Sequence, residues 1–145
     1  MTPDTKRSAL VVDDDHMARK LVTQFLEDEG YDVKDFGLPE DITGEVSSFG
    51  LIVMDVRFRR YLPERTETLP FGGIDYIVEQ IQKKALDAQR TTIVFISRWG
   101  RDREGVPERL AKVGPHEWVD ISTGLEFTEF MTLLRRKANN AAGSV

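Results

Sequence analysis

Leu51-Ile52-Val53-Met54-Asp55 decides how this chain is read. Four apolar residues end in one carboxylate, and Gly50 stands just before them. A short apolar run bounded by turn residues is the pattern of a buried strand. In an open α/β sheet, ligands bind outside the carboxyl ends of the strands. Asp55 therefore stands at the rim of a core, and its meaning depends on which other groups reach that rim.

Working outward, other runs share the pattern. Ala9-Leu10-Val11-Val12 ends in Asp13-Asp14-Asp15, and Thr92-Ile93-Val94-Phe95-Ile96 ends in Ser97. Glu117 to Ile121 reads as a last strand, and Tyr31 to Phe36 alternates like a half-exposed edge strand. Helical spacing falls between them. Ala18, Leu21, Val22, Phe25 and Leu26 mark a first helix that Gly30 stops. Ile74, Ile77, Val78, Ile81 and Ala85 mark another. Val106, Leu110 and Val113 follow, opened by Pro107 and closed by Gly114-Pro115, and Phe127, Phe130, Met131 and Leu134 lie on the last. Pro39 to Ser48 predicts a short helix weakened by Gly44, and Val56 to Phe71, with two prolines and no apolar period, predicts a long loop. Strands and helices alternating about five times imply an α/β fold, a parallel sheet layered between helices. Two strand orders remain open, the flavodoxin-like 2-1-3-4-5 and a Rossmann-type variant.

The length of 145 residues fits one domain, expected over residues 1–138 with an insertion at about 56–72. Residues 139–145 are small and polar, as in a flexible tail or linker stub. With 20 basic and 25 acidic residues the net charge is −5, which argues against a nucleic-acid-binding face. The absence of cysteine excludes disulfides, thiolate metal sites and a Cys nucleophile. Met1 to Arg7 lacks the apolar stretch of a signal peptide, and no run approaches the ~18 residues of a membrane span. A cytoplasmic protein without direct nucleic-acid or membrane contact is the expectation.

In the order 2-1-3-4-5 the first and third strands are neighbours. Asp13, Asp14 and Asp55 then converge at one sheet edge. Like charges this close repel, more strongly as water is excluded. A hard divalent cation relieves the repulsion, and Mg²⁺ favours oxygen ligands with retained waters. The backbone carbonyl of Arg57 is a candidate further ligand. A carboxylate can act as a nucleophile and take up a phosphoryl group, whose developing charge a metal neutralises. Ser97, one strand over, is placed to donate to a phosphoryl oxygen on Asp55. Asp15 reads as an N-cap. His16 and His116 read as surface residues. Trp99 reads equally as an exposed partner-binding aromatic and as a cover for the core edge.

These residues carry a resemblance. Val11-Val12-Asp13-Asp14, the apolar strand ending in Asp55, Ser97 after Thr92 to Ile96, and Trp118 in the last strand together resemble a response-regulator receiver domain, over roughly Ser8 to Lys137. The resemblance implies a flavodoxin-like (βα)5 sandwich with a five-stranded parallel sheet of order 2-1-3-4-5. It implies Mg²⁺ held by Asp13, Asp14 and Asp55, and phosphorylation of Asp55 by a histidine kinase or a histidine phosphotransfer protein. Ser97 becomes the switch hydroxyl, and Trp118 takes the place of the switching aromatic. It also implies a module that signals to an effector protein or fused domain, not an enzyme, with at most slow autodephosphorylation. A homodimer through the last two helices belongs to the same set of expectations.

The chain departs from the family's pattern in two places. Ile121-Ser122 stands where the family has Lys-Pro, so the usual cation is missing. The segment after Asp55 is longer than usual and carries Arg57, Arg59, Arg60 and Arg65. Arg98, Arg57 and Arg59 are the candidate substitute cations; a guanidinium binds phosphate well but is not interchangeable with a lysine. Two further readings stand beside the first. A degenerate receiver would act as a phosphorylation-independent interaction module, which the missing lysine favours. An Asp-nucleophile phosphatase would need a second acid two residues after Asp55, where Arg57 stands. Flavin or dinucleotide binding would need a Gly-rich loop where this chain has acids.

Overall fold

A computed structural model describes residues 7–121 and 127–143. Each apolar run forms a strand and each helical spacing a helix. In chain order these are β1 (Arg7–Val12), α1 (His16–Asp28), β2 (Tyr31–Phe36), β3 (Leu51–Asp55), β4 (Phe58–Tyr61), β5 (Thr66–Leu69), α2 (Gly72–Gln82), β6 (Thr92–Ser97), α3 (Val106–Leu110), β7 (Glu117–Asp120) and α4 (Phe127–Gly143). The main sheet has the order β2-β1-β3-β6-β7, with every pairing parallel. With β4 and β5 set aside as a separate pair, this is the order 2-1-3-4-5, and the Rossmann alternative falls away.

The period of two along each central strand divides the core between the two faces of the sheet. Leu10, Val12, Ile52, Met54 and Phe95 face α2 and α3, where Ile74, Ile77, Val106 and Leu110 meet them. Ala9, Val11, Val53, Val94 and Ile96 face the other way, onto Val22 and Leu26 of α1 and Met131 and Leu134 of α4. Most of these side chains are fully buried, and burial stabilises each large one by roughly 2 kcal/mol. This two-sided packing fixes β1, β3 and β6 side by side. The register sets Val12 against Met54 and Asp55 against Ile96, so the residues that follow emerge at one edge. Among the described residues no helix is long and apolar enough to cross a membrane.

Four segments differ from the sequence-based expectation. Residues 39–48 form two 3-10 turns, Pro39–Asp41 and Val46–Ser48, in place of a helix. Gly44 between them adopts φ +84°, which ends any helical run. The predicted loop 56–71 contains an antiparallel hairpin, β4 with β5. Its turn, Leu62-Pro63-Glu64-Arg65, closes through reciprocal backbone bonds between Leu62 and Arg65. The helix expected to include Ala85 ends at Gln82, and Lys84 turns the chain at φ +60°. The last helix continues through Gly143, so residues 139–143 extend it where a tail was expected.

Candidate functional site

The Asp13-Asp14-Asp15 run divides its labour. The Asp15 carboxylate accepts from the N–H groups of Met17 (3.0 Å) and Ala18 (3.2 Å), capping α1 as expected. Asp13 is buried. Its own N–H continues the β-ladder to the Phe36 carbonyl (3.1 Å), and its carbonyl accepts from Arg19 Nη1 (2.8 Å). Arg19 Nε in turn pairs with Asp35 at 3.1 Å. The Asp13 carboxylate is thereby held at the sheet edge, accepting one backbone N–H from Asp15 at 2.9 Å. Asp14 turns toward the hairpin, where its Oδ2 accepts the Arg59 N–H at 2.7 Å.

Asp55 closes the set. Carboxylate oxygens of Asp13, Asp14 and Asp55 all lie within 4.8 Å of one another. Burial, then the charges on Asp13 and Asp14, push the Asp55 carboxyl up to about 9. Burial also raises Asp13, to about 6, against the lowering effect of the Asp15 N–H. Two carboxyls this close and this buried favour holding one proton between them. The donor set is three hard oxygens. Octahedral Mg²⁺ places opposed ligands about 4.2 Å apart, so these acids fit such an ion with little movement.

Ser97 and Trp118 are both buried nearby. Ser97 Oγ accepts from the Trp99 N–H at 2.8 Å. The Trp118 indole N–H donates to the Trp99 carbonyl at 3.1 Å, and its ring packs on Phe95 with centroids 6.0 Å apart. Asp13, Asp14, Asp55 and Ser97 open into one cavity of about 710 Å³, which Arg57, Arg59 and Arg98 also line. These three arginines are exposed. Ile121 lines the cavity too; Ser122 lies outside the described residues.

Not every expected residue arrives. Arg60 pairs with Glu40 (2.6 Å) outside the hairpin and with Glu67 (3.7 Å) inside it, Arg65 reaches Glu67 (3.8 Å) within the hairpin, and neither lines the cavity. His16 is exposed, 3.1 Å from Arg19. His116, expected on the surface, is half-buried edge-on against Phe95 and meets Arg101 at 2.8 Å. Trp99 covers the core edge, its ring meeting Phe71 edge-on at 5.7 Å.

Three contributors were not read from the sequence. One is the Arg59 backbone N–H on Asp14, and another is the Trp99 peptide. The third is Gly73, just past the predicted loop. A Cβ there would sit 1.8 Å from the Asp55 carbonyl oxygen and 2.9 Å from Met54 Cγ. Only glycine lets the start of α2 lie against the end of β3, where the Gly73 N–H donates to the Val56 carbonyl at 3.0 Å. The paired glycines Gly72-Gly73 were the available signal.

No sequence-family profile and no curated relative matches the chain. Solved structures do. A response-regulator receiver domain protein (CheY-like) from Methanospirillum hungatei superimposes with TM-score 0.65 at 15% identity, covering 97% of this chain and all of that one. The chemotaxis response regulator CheY4 of Vibrio cholerae gives TM-score 0.63 at 19% identity, covering 92% and 99%. The response regulator TrrA from Thermotoga maritima, solved with Mg²⁺ and beryllofluoride, gives 0.59 at 19% identity, covering 90% and 98%. The chain has the fold of response-regulator receiver domains.

Proposed function

We propose that this chain is a receiver module of a two-component phosphorelay that accepts a phosphoryl group on Asp55 and signals by conformational change. The observation that supports this best is the meeting of Asp13, Asp14 and Asp55 within 4.8 Å, in one cavity with Ser97. In this reading the donor is a phosphohistidine of a histidine kinase or a histidine phosphotransfer protein. A carboxylate oxygen of Asp55 attacks phosphorus, the P–N bond breaks, and the imidazole leaves. Asp13, Asp14, Asp55 and the Arg57 carbonyl would hold Mg²⁺, which would neutralise charge on the phosphoryl oxygens. With such a cation bound, Asp55 would be held in its ionised, nucleophilic form and not in the protonated form that burial favours.

The remaining work falls to groups of this chain. Ser97 donates its hydroxyl proton to a phosphoryl oxygen. Arg57, Arg59 and Arg98 replace the absent lysine; they line the cavity, and among the described residues none of them is in an ion pair. A guanidinium suits phosphoryl oxygens because it offers paired N–H donors. The module acts through its modified state, which passes to an effector protein or fused domain, and not through turnover.

The test is incubation of the folded protein with Mg²⁺ and acetyl phosphate, read by intact mass. One phosphoryl group should be gained, and lost in Asp55→Asn. Changing Arg57, Arg59 and Arg98 together to Gln should slow the gain at least tenfold, whereas Arg65→Gln should not. A folded protein that neither binds Mg²⁺ nor gains mass sinks the proposal and leaves the phosphorylation-independent interaction module.

A further inference from the structure

Trp99 stands at the meeting of two sets of contacts around the site. Its N–H donates to Ser97 Oγ at 2.8 Å, and its carbonyl accepts the Trp118 indole N–H at 3.1 Å. One peptide thus joins the hydroxyl beside Asp55 to the aromatic of β7. The Trp99 ring points the other way. It meets Phe71 edge-on at 5.7 Å, with the Arg103 guanidinium 4.0 Å over its face. Phe71 is the N-cap residue of α2, and Arg109 lies 4.0 Å over its ring while pairing with Asp75 of α2 at 3.0 Å. Two residues further on, Gly73 lies against the Asp55 carbonyl. The path from Asp55 through α2, Phe71, Trp99 and Ser97 returns to the site where it began.

We propose that Trp99, and not Trp118, is the aromatic that moves when Asp55 is modified, carrying the state of the site to the face formed by Trp99, Phe71 and Arg103. This inference rests on the phosphoacceptor reading. A serine hydroxyl has one proton and two lone pairs. Ser97 can therefore donate to a phosphoryl oxygen while still accepting from Trp99, so a displacement of Oγ draws the Trp99 peptide with it. The Trp118 ring is buried at 7% exposure, packed on Phe95, with its one donor already satisfied. Swinging it inward would empty that space and strand a buried N–H. The Trp99 ring is only half-buried, packed on the edge of the core against Phe71 with one cation over its face, so less opposes its displacement.

The chain has two tryptophans, so labelling with 5-fluorotryptophan gives one resonance for each, assigned with Trp99→Phe. Mg²⁺ and beryllofluoride are then added, and bound fluoride is read in the same ¹⁹F spectrum. The expected result is bound fluoride with a larger shift at Trp99 than at Trp118. In Ser97→Ala, with beryllofluoride raised until bound fluoride is regained despite the lost hydroxyl, the Trp99 shift should be lost. A larger shift at Trp118, or a Trp99 shift that survives Ser97→Ala, overturns the inference and leaves the phosphoacceptor reading standing. No bound fluoride in the folded protein overturns that reading, and the inference with it.

Discussion

Replacing Asp55 with Asn should make the metal-free protein more stable, and the gain should grow with pH. In the unfolded chain Asp55 ionises near the ordinary carboxylate value of 3.8, whereas the fold keeps it protonated up to about 9. Between those values the folded state binds a proton that the unfolded state releases, so stability falls as pH rises. The loss is at most about 1.4 kcal/mol per pH unit, or about 4 kcal/mol between pH 5 and pH 8. Asp13, raised to about 6, adds a second loss confined to the range between 3.8 and 6. A separate route gives the same scale. Two carboxylate charges within 4.8 Å of each other repel by at least about 3.5 kcal/mol at an effective dielectric of about 20. Asparagine keeps the shape and cannot ionise. Asp55→Asn should therefore gain about 2–4 kcal/mol at pH 7–8 in EDTA, raising Tm by about 6–12 °C. Urea titrations at pH 5, 6, 7 and 8 give the slope directly, and Mg²⁺ should stabilise the wild type more than the variant. A variant no more stable than wild type at pH 8, or one with the same pH slope, refutes the reasoning.

Three further outcomes are expected. Gly73→Ala forces a methyl to within 1.8 Å of the Asp55 carbonyl oxygen; it should cost about 3 kcal/mol or more, because the clash is with backbone, and an unchanged thermal midpoint would contradict the close approach. Asp15→Ala removes the α1 cap and should cost about 1 kcal/mol, measured by urea denaturation, while leaving phosphoryl uptake on Asp55 intact. Phe58→Ala empties the fully buried anchor of the hairpin; it should cost about 3–5 kcal/mol and speed hydrogen exchange at the Arg59 amide, whose bond to Asp14 would otherwise protect it.

The main sheet was legible because its strands are buried on both faces and are written as continuous apolar runs. Their abrupt ends in Asp13, Asp55 and Ser97 placed the site. Asp15 was separable from its neighbours because capping needs only local geometry. The hairpin was not legible. Its strands pair Arg59 with Thr68 and Arg60 with Glu67, polar residues without a period, and what stabilises them is the burial of Phe58 and the Arg60–Glu40 pair that reaches outside the hairpin. The helix expected over 39–48 failed for a local reason, the positive φ of Gly44, that competes with the weak pattern around it. The role of Trp99 was hidden for another reason. Its bonds run through its peptide, and side-chain identity does not say where a peptide points.

The backbone bond from Gly73 N–H to the Val56 carbonyl has an architectural consequence. It pinches residues 57–72 at their base, so the hairpin leaves the sheet and returns through one narrow neck. The free energy of closing such an excursion rises only as the logarithm of its length, about 0.6 kcal/mol per doubling. The neck thus separates two kinds of tolerance. Residues 59–68, between the core-packed Phe58 and Leu69, can be lengthened, shortened or exchanged at small cost to the βα scaffold, and with them the Arg59 side chain and the backbone N–H that meets Asp14. The scaffold supplies the acids and Arg98, and a separately closed appendage carries Arg57 and Arg59.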